Sequence, residues 1–142
     1  MKLRYTNGQI DVKENLKRPA LEILVVDDSE TVRIRLKAFL EESGYTVSEA
    51  NSGAMALEVL TKKKEIDLII TDLNMPEMDG LQLIEEARKL ERFTYTPIIV
   101  CTTEVTDSYK ERARELGVRA WIKKPLELSK MSAVLKKVLA GP

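Results

Sequence analysis

Five short predicted strands alternate with five segments of helical periodicity between residues 21 and 139. The strand at residues 45–49 alternates polar and apolar residues, whereas the other four are mainly apolar runs too short to form core helices, and the helical segments place apolar residues three or four apart. Strands that alternate with helices pair in parallel, and right-handed crossovers then cover both faces of the sheet. The pattern therefore predicts an α/β fold with a doubly wound, five-stranded parallel sheet. The strands are expected at residues 21–26, 45–49, 68–70, 97–101 and 119–122.

The segment before this pattern is predicted to be a separate leader. Asn7-Gly8 is the strongest short signal for a type I′ hairpin turn, because both turn positions need a positive φ. A frayed terminus is the alternative for this segment. We therefore expect a leader of hairpin and linker at residues 1–19 and one α/β domain at residues 20–142, with no effector domain. The pairs predicted across the hairpin are Thr6 with Gln9, Tyr5 with Ile10, Arg4 with Asp11, and Leu3 with Val12.

The residue types exclude several classes of function. Lys+Arg and Asp+Glu are both 23, so the formal net charge is zero, and general binding to nucleic acid or a membrane surface is not expected. No apolar run approaches the roughly 20 residues that cross a bilayer. With no His and one Cys, a zinc site is not expected, and a Ser-His-Asp or Cys-His triad is excluded. The single Cys101, interpreted as a small core residue, fits a reducing, cytoplasmic location.

Polar side chains follow four of the predicted strands at the points where those strands end. Asp72 follows the third strand and opens a loop, so it is either a functional carboxylate or a cap for the next helix. In open parallel sheets the carboxyl ends of the strands lie at one edge, where ligands bind. The residues expected to meet at this edge are Asp27, Asp28, Asp72, Thr102 and Lys124.

This set of side chains suits phosphoryl transfer. Three clustered carboxylates repel one another, and the available compensators are Lys124 and Mg²⁺, a cation that prefers oxygen ligands. Asp72 could attack a phosphorus atom as a nucleophile, while the Thr102 hydroxyl donates a hydrogen bond to a phosphoryl oxygen. Because no glycine-rich or Walker-type sequence is present to hold a nucleotide, the phosphoryl donor must come from elsewhere.

Residues 21–139 resemble the receiver domain of a two-component response regulator, of the stand-alone CheY-like type. The resemblance is carried by Asp27-Asp28, the run DLNMPEMDG at residues 72–80, Thr102 and Lys124-Pro125, together with their spacing. It implies a flavodoxin-like (CheY-like) sheet with strand order 2-1-3-4-5, counting the five strands of the domain. It also implies a cis peptide bond between Lys124 and Pro125.

The resemblance implies a role for each residue at this edge. Asp72 would accept a phosphoryl group from the phosphohistidine of a histidine kinase, with Thr102 and Lys124 as its catalytic partners. Mg²⁺ would be the cofactor. The ligands implied for it are Asp28 and Asp72 directly, Asp27 through a water molecule, and the main-chain oxygen of Asn74.

Three further residues are implied to govern the response to phosphorylation. Trp121 joins Thr102 at the family's switch positions, where Tyr or Phe is more usual than Trp. The alternative for Trp121 is a plain packing or interface residue. Asn74 and Glu104 fall at the positions that set the lifetime of the phospho-aspartate, and this pair predicts a short-lived phosphoryl state.

The leading hypothesis is a signalling switch, rather than an enzyme, that catalyses only its own phosphorylation and dephosphorylation. One alternative is a Mg²⁺-dependent phosphatase like the haloacid dehalogenase group, which usually has a second acid where this chain has Asn74. Another is a pseudo-receiver that serves only as a scaffold. The implied partners are a sensor histidine kinase or phosphotransfer protein and a downstream protein, bound by the fourth helix, fifth strand and fifth helix of the domain. A monomer or weak homodimer is expected.

Overall fold

The first described residues form an antiparallel pair of short strands. The computed structural model describes residues 4–6, 9–11, 20–63, 65–103 and 106–140 of the 142-residue chain. Strand β1 (Arg4–Thr6) pairs with β2 (Gln9–Asp11) in the predicted register, with Arg4 opposite Asp11, Tyr5 opposite Ile10 and Thr6 opposite Gln9. The predicted turn at Asn7-Gly8 and the predicted pair of Leu3 with Val12 lie outside the described residues. The division into a leader and a domain at residue 20 stays a prediction.

A five-stranded parallel sheet forms the centre of the fold. Its strands are β3 (Glu22–Val26), β4 (Thr46–Ala50), β5 (Leu68–Thr71), β6 (Ile98–Thr102) and β7 (Ala120–Lys123). They are arranged in the order β4-β3-β5-β6-β7, and each neighbouring pair is parallel. Counted within the domain, this is the predicted order 2-1-3-4-5. Both the α/β fold class and the doubly wound topology are therefore confirmed.

Five α-helices connect or follow these strands within the described residues. They are α1 (Glu30–Glu42), α2 (Gly53–Lys62), α3 (Gly80–Arg88), α4 (Asp107–Glu115) and α5 (Leu128–Leu139). Ser29 caps α1 and Ser52 caps α2, each accepting a hydrogen bond from a backbone N–H of the first turn. The helical spacing of Leu81, Ile84, Ala87 and Leu90 in the sequence predicts a helix that reaches Leu90, but α3 ends at Arg88 and is followed by a 3₁₀ turn (Glu91–Phe93). No helix in the described part of the chain is long and apolar enough to span a bilayer.

Side chains alternate between two cores, one on each face of the sheet. Leu24, Val26 and Ile69 pack beneath α2, α3 and α4, and we call this cluster the α2–α4 core. Ile23, Val25 and the other side chains of the opposite face pack beneath α1 and α5, in the α1/α5 core. Because the central strands are buried on both faces, their sequences are continuous apolar runs rather than alternating ones. Because the strands are parallel, the carboxyl ends of β3, β5, β6 and β7 lie at the same edge of the sheet.

Candidate functional site

The predicted site residues lie where four strands reach this edge. Asp27 follows the last residue of β3, Asp72 follows that of β5, and Lys124 follows that of β7, while Thr102 is itself the last residue of β6. Main-chain hydrogen bonds continue past the strand ends and fix these positions. The Asp72 N–H donates to the Val26 carbonyl at 2.9 Å, and the Lys124 N–H donates to the Thr102 carbonyl at 2.9 Å.

The three predicted carboxylates come together. An oxygen atom from each of Asp27, Asp28 and Asp72 lies within 4.8 Å of the others. Asp27 is 3 % exposed and Asp72 is 7 % exposed, whereas Asp28 faces solvent. Carboxylates brought this close repel one another unless a cation offsets their charge. The cluster therefore has both the ligand type and the electrostatic need for a cation.

Lys124 supplies the positive charge between two of these carboxylates. Its Nζ lies 2.7 Å from Asp27 Oδ2 and 3.2 Å from Asp72 Oδ2, and the peptide bond that follows it, to Pro125, is cis as the resemblance implied. Burial raises the pKa of Asp27, and the hydrogen bond from Lys124 offsets this effect only in part. Burial alone would lower the pKa of Lys124. The hydrogen bond and charge of Asp27 and the charge of Asp72 outweigh it, so the pKa of Lys124 is raised.

The two oxygens of Asp72 have different partners. Oδ1 accepts hydrogen bonds from the N–H groups of Leu73 at 2.7 Å and Asn74 at 3.3 Å, whereas Oδ2 faces Lys124. The side chain is therefore held by the loop that follows it and does not cap a helix. The cap of α3 is Asp79, which forms a reciprocal capping box with Gln82. The alternative reading of Asp72 as a helix cap is wrong.

Gly80, the first residue of α3, closes this loop. Its N–H donates to the Leu73 carbonyl at 2.7 Å, and a Cβ atom at this position would collide with the main-chain oxygen of Asp72 and the Cα of Leu73. Only glycine lets the start of α3 approach the loop after Asp72 so closely. The Asp-Gly pair at the start of a helix was the available signal for this role.

The remaining predicted residues differ in their burial and surroundings. Thr102 is fully buried at the end of β6, and Asn74 is exposed in the loop after Asp72. Trp121 is partly buried and packs against the α2–α4 core. Its indole Nε1 is buried and has no hydrogen-bond partner in the part of the chain that the structure describes. Glu104 lies outside the described residues.

Sequence reasoning missed one residue beside the carboxylates. Arg33, on α1, donates from a guanidinium nitrogen to the main-chain oxygen of Asp27 at 2.7 Å. Its Nε donates to Glu49 at 3.2 Å. A helical arginine one turn after a capping serine carries no signal of this contact in the sequence alone.

The donor set fits a hard divalent cation. The carboxylates of Asp27, Asp28 and Asp72 supply oxygen ligands, which Mg²⁺ prefers, and Asp28 is open to solvent so that waters could complete the shell. The chain has no His, and its one cysteine has a pKa raised by burial to about 12, so a soft-metal site is not formed here. The site can therefore hold a metal ion of the magnesium type.

Comparison with known proteins decides the family. Residues 23–136 match the family described as the response regulator receiver domain. The chain belongs to this family. The receiver domain is 38 % identical over 120 residues to a chemotaxis protein CheY homolog of Campylobacter jejuni, covering 84 % of this chain and 92 % of that protein. It is 40 % identical over 120 residues to chemotaxis protein CheY1 of Helicobacter pylori, covering 84 % and 97 %.

A solved structure agrees with the fold of this receiver domain. Chemotaxis protein CheY4 of Vibrio cholerae superposes with a TM-score of 0.80 at 32 % sequence identity, covering 84 % of this chain and 99 % of that one. The family, the fold and the CheY-like resemblance predicted from the sequence are thus confirmed. Receiver domains are signalling switches, and the acidic cluster is the place where this one could hold a metal ion.

Proposed function

We propose that the protein is a phosphorylation-controlled switch in which Asp72 accepts a phosphoryl group. The observation that carries this proposal is the contact between Lys124 and two clustered carboxylates, at 2.7 Å from Asp27 and 3.2 Å from Asp72. A side-chain carboxylate held beside a cation and other acids is suited to nucleophilic attack on phosphorus. The donor is the phosphohistidine of a sensor histidine kinase or phosphotransfer protein.

In the proposed transfer, an Asp72 oxygen forms a bond to phosphorus as the phosphorus–nitrogen bond of the donor breaks. The imidazole leaves with the electron pair of that bond and takes a proton from solvent. The Lys124 ammonium shifts its contact from the Asp72 carboxylate to an oxygen of the transferred group, and the Thr102 hydroxyl donates a hydrogen bond to another oxygen of that group. Mg²⁺, when bound, offsets charge on the phosphoryl oxygens. Hydrolysis of the acyl phosphate by water restores the carboxylate.

The proposed metal ligands are those that the resemblance to receiver domains implies, and the clustering of the three acids supports them. Asp28 and Asp72 would bind Mg²⁺ directly, Asp27 would bind it through a water molecule, and the main-chain oxygen of Asn74 would complete the protein ligands. Lys124 lies closer to Asp27, at 2.7 Å, than to Asp72, at 3.2 Å, and the other oxygen of Asp27 accepts from the Ser29 N–H at 2.9 Å. The tighter contact with the lysine supports the indirect role of Asp27.

Trp121 and Thr102 are the proposed switch residues. The buried Nε1 of Trp121 has no acceptor among the described residues, and an unmet buried donor costs about 1–3 kcal/mol. A second position of the indole that gives this N–H an acceptor would therefore be favoured once phosphorylation shifts Thr102. Asn74 and Glu104 are proposed to admit water to the phospho-aspartate and so to keep its lifetime short.

The proposed output surface is the face formed by α4, β7 and α5. Two cavities of about 270 Å³ and 280 Å³ share Trp121 as a lining residue, so a change in its position would alter both. A downstream protein would bind this face, and the chemotaxis names of the relatives make a chemotaxis component the first candidate. The protein is proposed to be cytoplasmic and a monomer or weak homodimer, with residues 1–19 as a leader outside the receiver domain.

Incubation with acetyl phosphate and Mg²⁺ separates this function from its alternatives. A switch gains one labile phosphate per chain. Its tryptophan fluorescence also changes, because the single tryptophan, Trp121, is a proposed switch residue. A phosphatase of the haloacid dehalogenase type would instead release phosphate continuously from added phosphate esters. A scaffold would do neither, and either of these last two results would contradict the proposal.

A further inference from the structure

The loop that carries two of the proposed metal ligands is held at several points. The Asp27 N–H donates to the Ala50 carbonyl at 3.2 Å, which ties the start of the loop to the end of β4. The Ser29 N–H donates to Asp27 Oδ1 at 2.9 Å, which folds the loop back on itself. The main-chain oxygen of Asp27 accepts a hydrogen bond from Arg33 at 2.7 Å.

Arg33 is itself fixed on its other side. Its Nε donates to Glu49 at 3.2 Å, and Glu49 belongs to β4, the neighbour of the strand that leads into the loop. The side chain of Arg33 is only 14 % exposed, and that of Glu49 is 34 % exposed. The planar guanidinium thus joins α1, the edge strand and the loop through donors of fixed relative geometry.

We propose that Arg33 is a positioning residue for the Asp27-Asp28 segment. By holding the Asp27 carbonyl, it fixes the peptide between the two aspartates and aims both carboxylates at the cation site before an ion arrives. The inference rests on the proposed function, since it assumes that these carboxylates bind Mg²⁺. Partners of metal ligands act in this way elsewhere, and their loss typically weakens metal affinity about 10–100-fold.

The contacts distinguish positioning from simple charge balance. Arg33 bonds to the main chain of Asp27, whereas both carboxylate oxygens of Asp27 are engaged by Ser29 and Lys124. The charge of Arg33 is in turn paired with that of Glu49. A lysine at position 33 would keep the charge but could not reproduce the fork that reaches two acceptors.

Arg33→Met and Arg33→Lys test the proposal, with Arg35→Met as the matched control. Arg35 lies on the same helix, is exposed and has no hydrogen-bond or ion-pair partner among the described residues. In Mg²⁺-free protein, Arg33→Met is expected to speed amide hydrogen exchange at Ser29, while amides in the centre of the sheet keep their protection. Its Mg²⁺ dissociation constant is expected to rise about tenfold or more.

The other variants have expected results of their own. The Mg²⁺ dissociation constant of Arg33→Lys should lie between those of wild type and Arg33→Met, and that of Arg35→Met should match wild type. Saturating Mg²⁺ should restore phosphorylation of Arg33→Met by acetyl phosphate to near the wild-type rate. If Arg33→Met does not fold, Glu49→Gln removes the charge that holds the Arg33 guanidinium on its other side. This milder change should raise the Mg²⁺ dissociation constant by a smaller factor.

Two results separate the failure of this inference from that of the proposed function. A wild type that binds Mg²⁺ beside an Arg33→Met protein with unchanged affinity and unchanged Ser29 exchange contradicts the positioning role alone. A wild type that binds no Mg²⁺ contradicts the proposed function, and the positioning role with it.

Discussion

Lys124 is the residue on which the electrostatics of the site depend. It contacts two buried carboxylates, and removing one partner of a buried ion pair typically costs about 3–5 kcal/mol. We therefore predict that Lys124→Met lowers the free energy of unfolding by about 3 kcal/mol in Mg²⁺-free buffer. Mg²⁺ should restore part of this loss, because the ion replaces the missing positive charge. Urea unfolding with and without Mg²⁺ measures both effects, and an equal loss under the two conditions would count against the arrangement.

The raised pKa of Lys124 gives this stabilisation a definite pH range. A basic group whose pKa is higher in the folded state stabilises fully below its unfolded-state value, here 10.5. The contribution is lost as the pH rises through the raised value of the folded state. Wild type should therefore lose more stability than Lys124→Met as the pH rises above 10.5. Parallel curves for the two proteins would show that the pair does not contribute.

Cys101 is predicted to be inert in the folded protein. Burial raises the pKa of its thiol to about 12, and the thiolate is the form that reacts with alkylating reagents. Iodoacetamide at pH 8, roughly the range where an ordinary exposed cysteine reacts, should label the unfolded chain and leave the native one unmodified over the same period. Mass spectrometry distinguishes the two, and rapid labelling of native protein would contradict the burial of this strand.

At the level of elements, the start of α3 is fixed by a glycine and the start of α2 offers a matched comparison. A Cβ at Gly80 would collide with main-chain atoms of the loop after Asp72, which cannot easily yield. A Cβ at Gly53 would lie 2.6 Å from Met78 Sδ, on a flexible side chain that can move. Both glycines begin a helix and follow a capping side chain.

Gly80→Ala is accordingly expected to cost at least about 2 kcal/mol of stability, and Gly53→Ala about 1 kcal/mol or less. Gly80→Ala should also slow phosphorylation by acetyl phosphate, because the collision displaces the loop that bears Asp72. Thermal unfolding and the rate of phosphate uptake measure the two effects. Equal costs for both substitutions would show that the close approach at Gly80 is not a constraint.

Across the whole molecule, the parts of the fold that the sequence predicted are those that depend on burial patterns. Residues 68–70 form a continuous apolar run because β5 is covered on both faces, and residues 45–49 alternate because β4 lies at the edge. The meeting of Asp27, Asp72 and Lys124 followed from topology, since parallel strands end at one edge. These features need no detailed knowledge of side-chain packing.

The features that escaped prediction depend on contacts between distant segments. The bond from Arg33 to the Asp27 carbonyl and the approach of Gly80 to the loop after Asp72 exist only once helices have docked on the sheet. The end of α3 at Arg88 is also set by tertiary contacts. Arg88 donates to the carbonyls of Phe93, Thr96 and Leu116, which holds the chain in a turn where periodicity alone would extend the helix.

The most direct test of the central claim is the intact mass of the protein after incubation with acetyl phosphate. Wild type with Mg²⁺ is predicted to gain one phosphate that is lost on standing and does not form when EDTA removes the metal. Asp72→Asn should gain none, whereas Asp79→Asn, which alters a carboxylate outside the cluster, should behave like wild type. Undiminished phosphate uptake by Asp72→Asn would contradict the account.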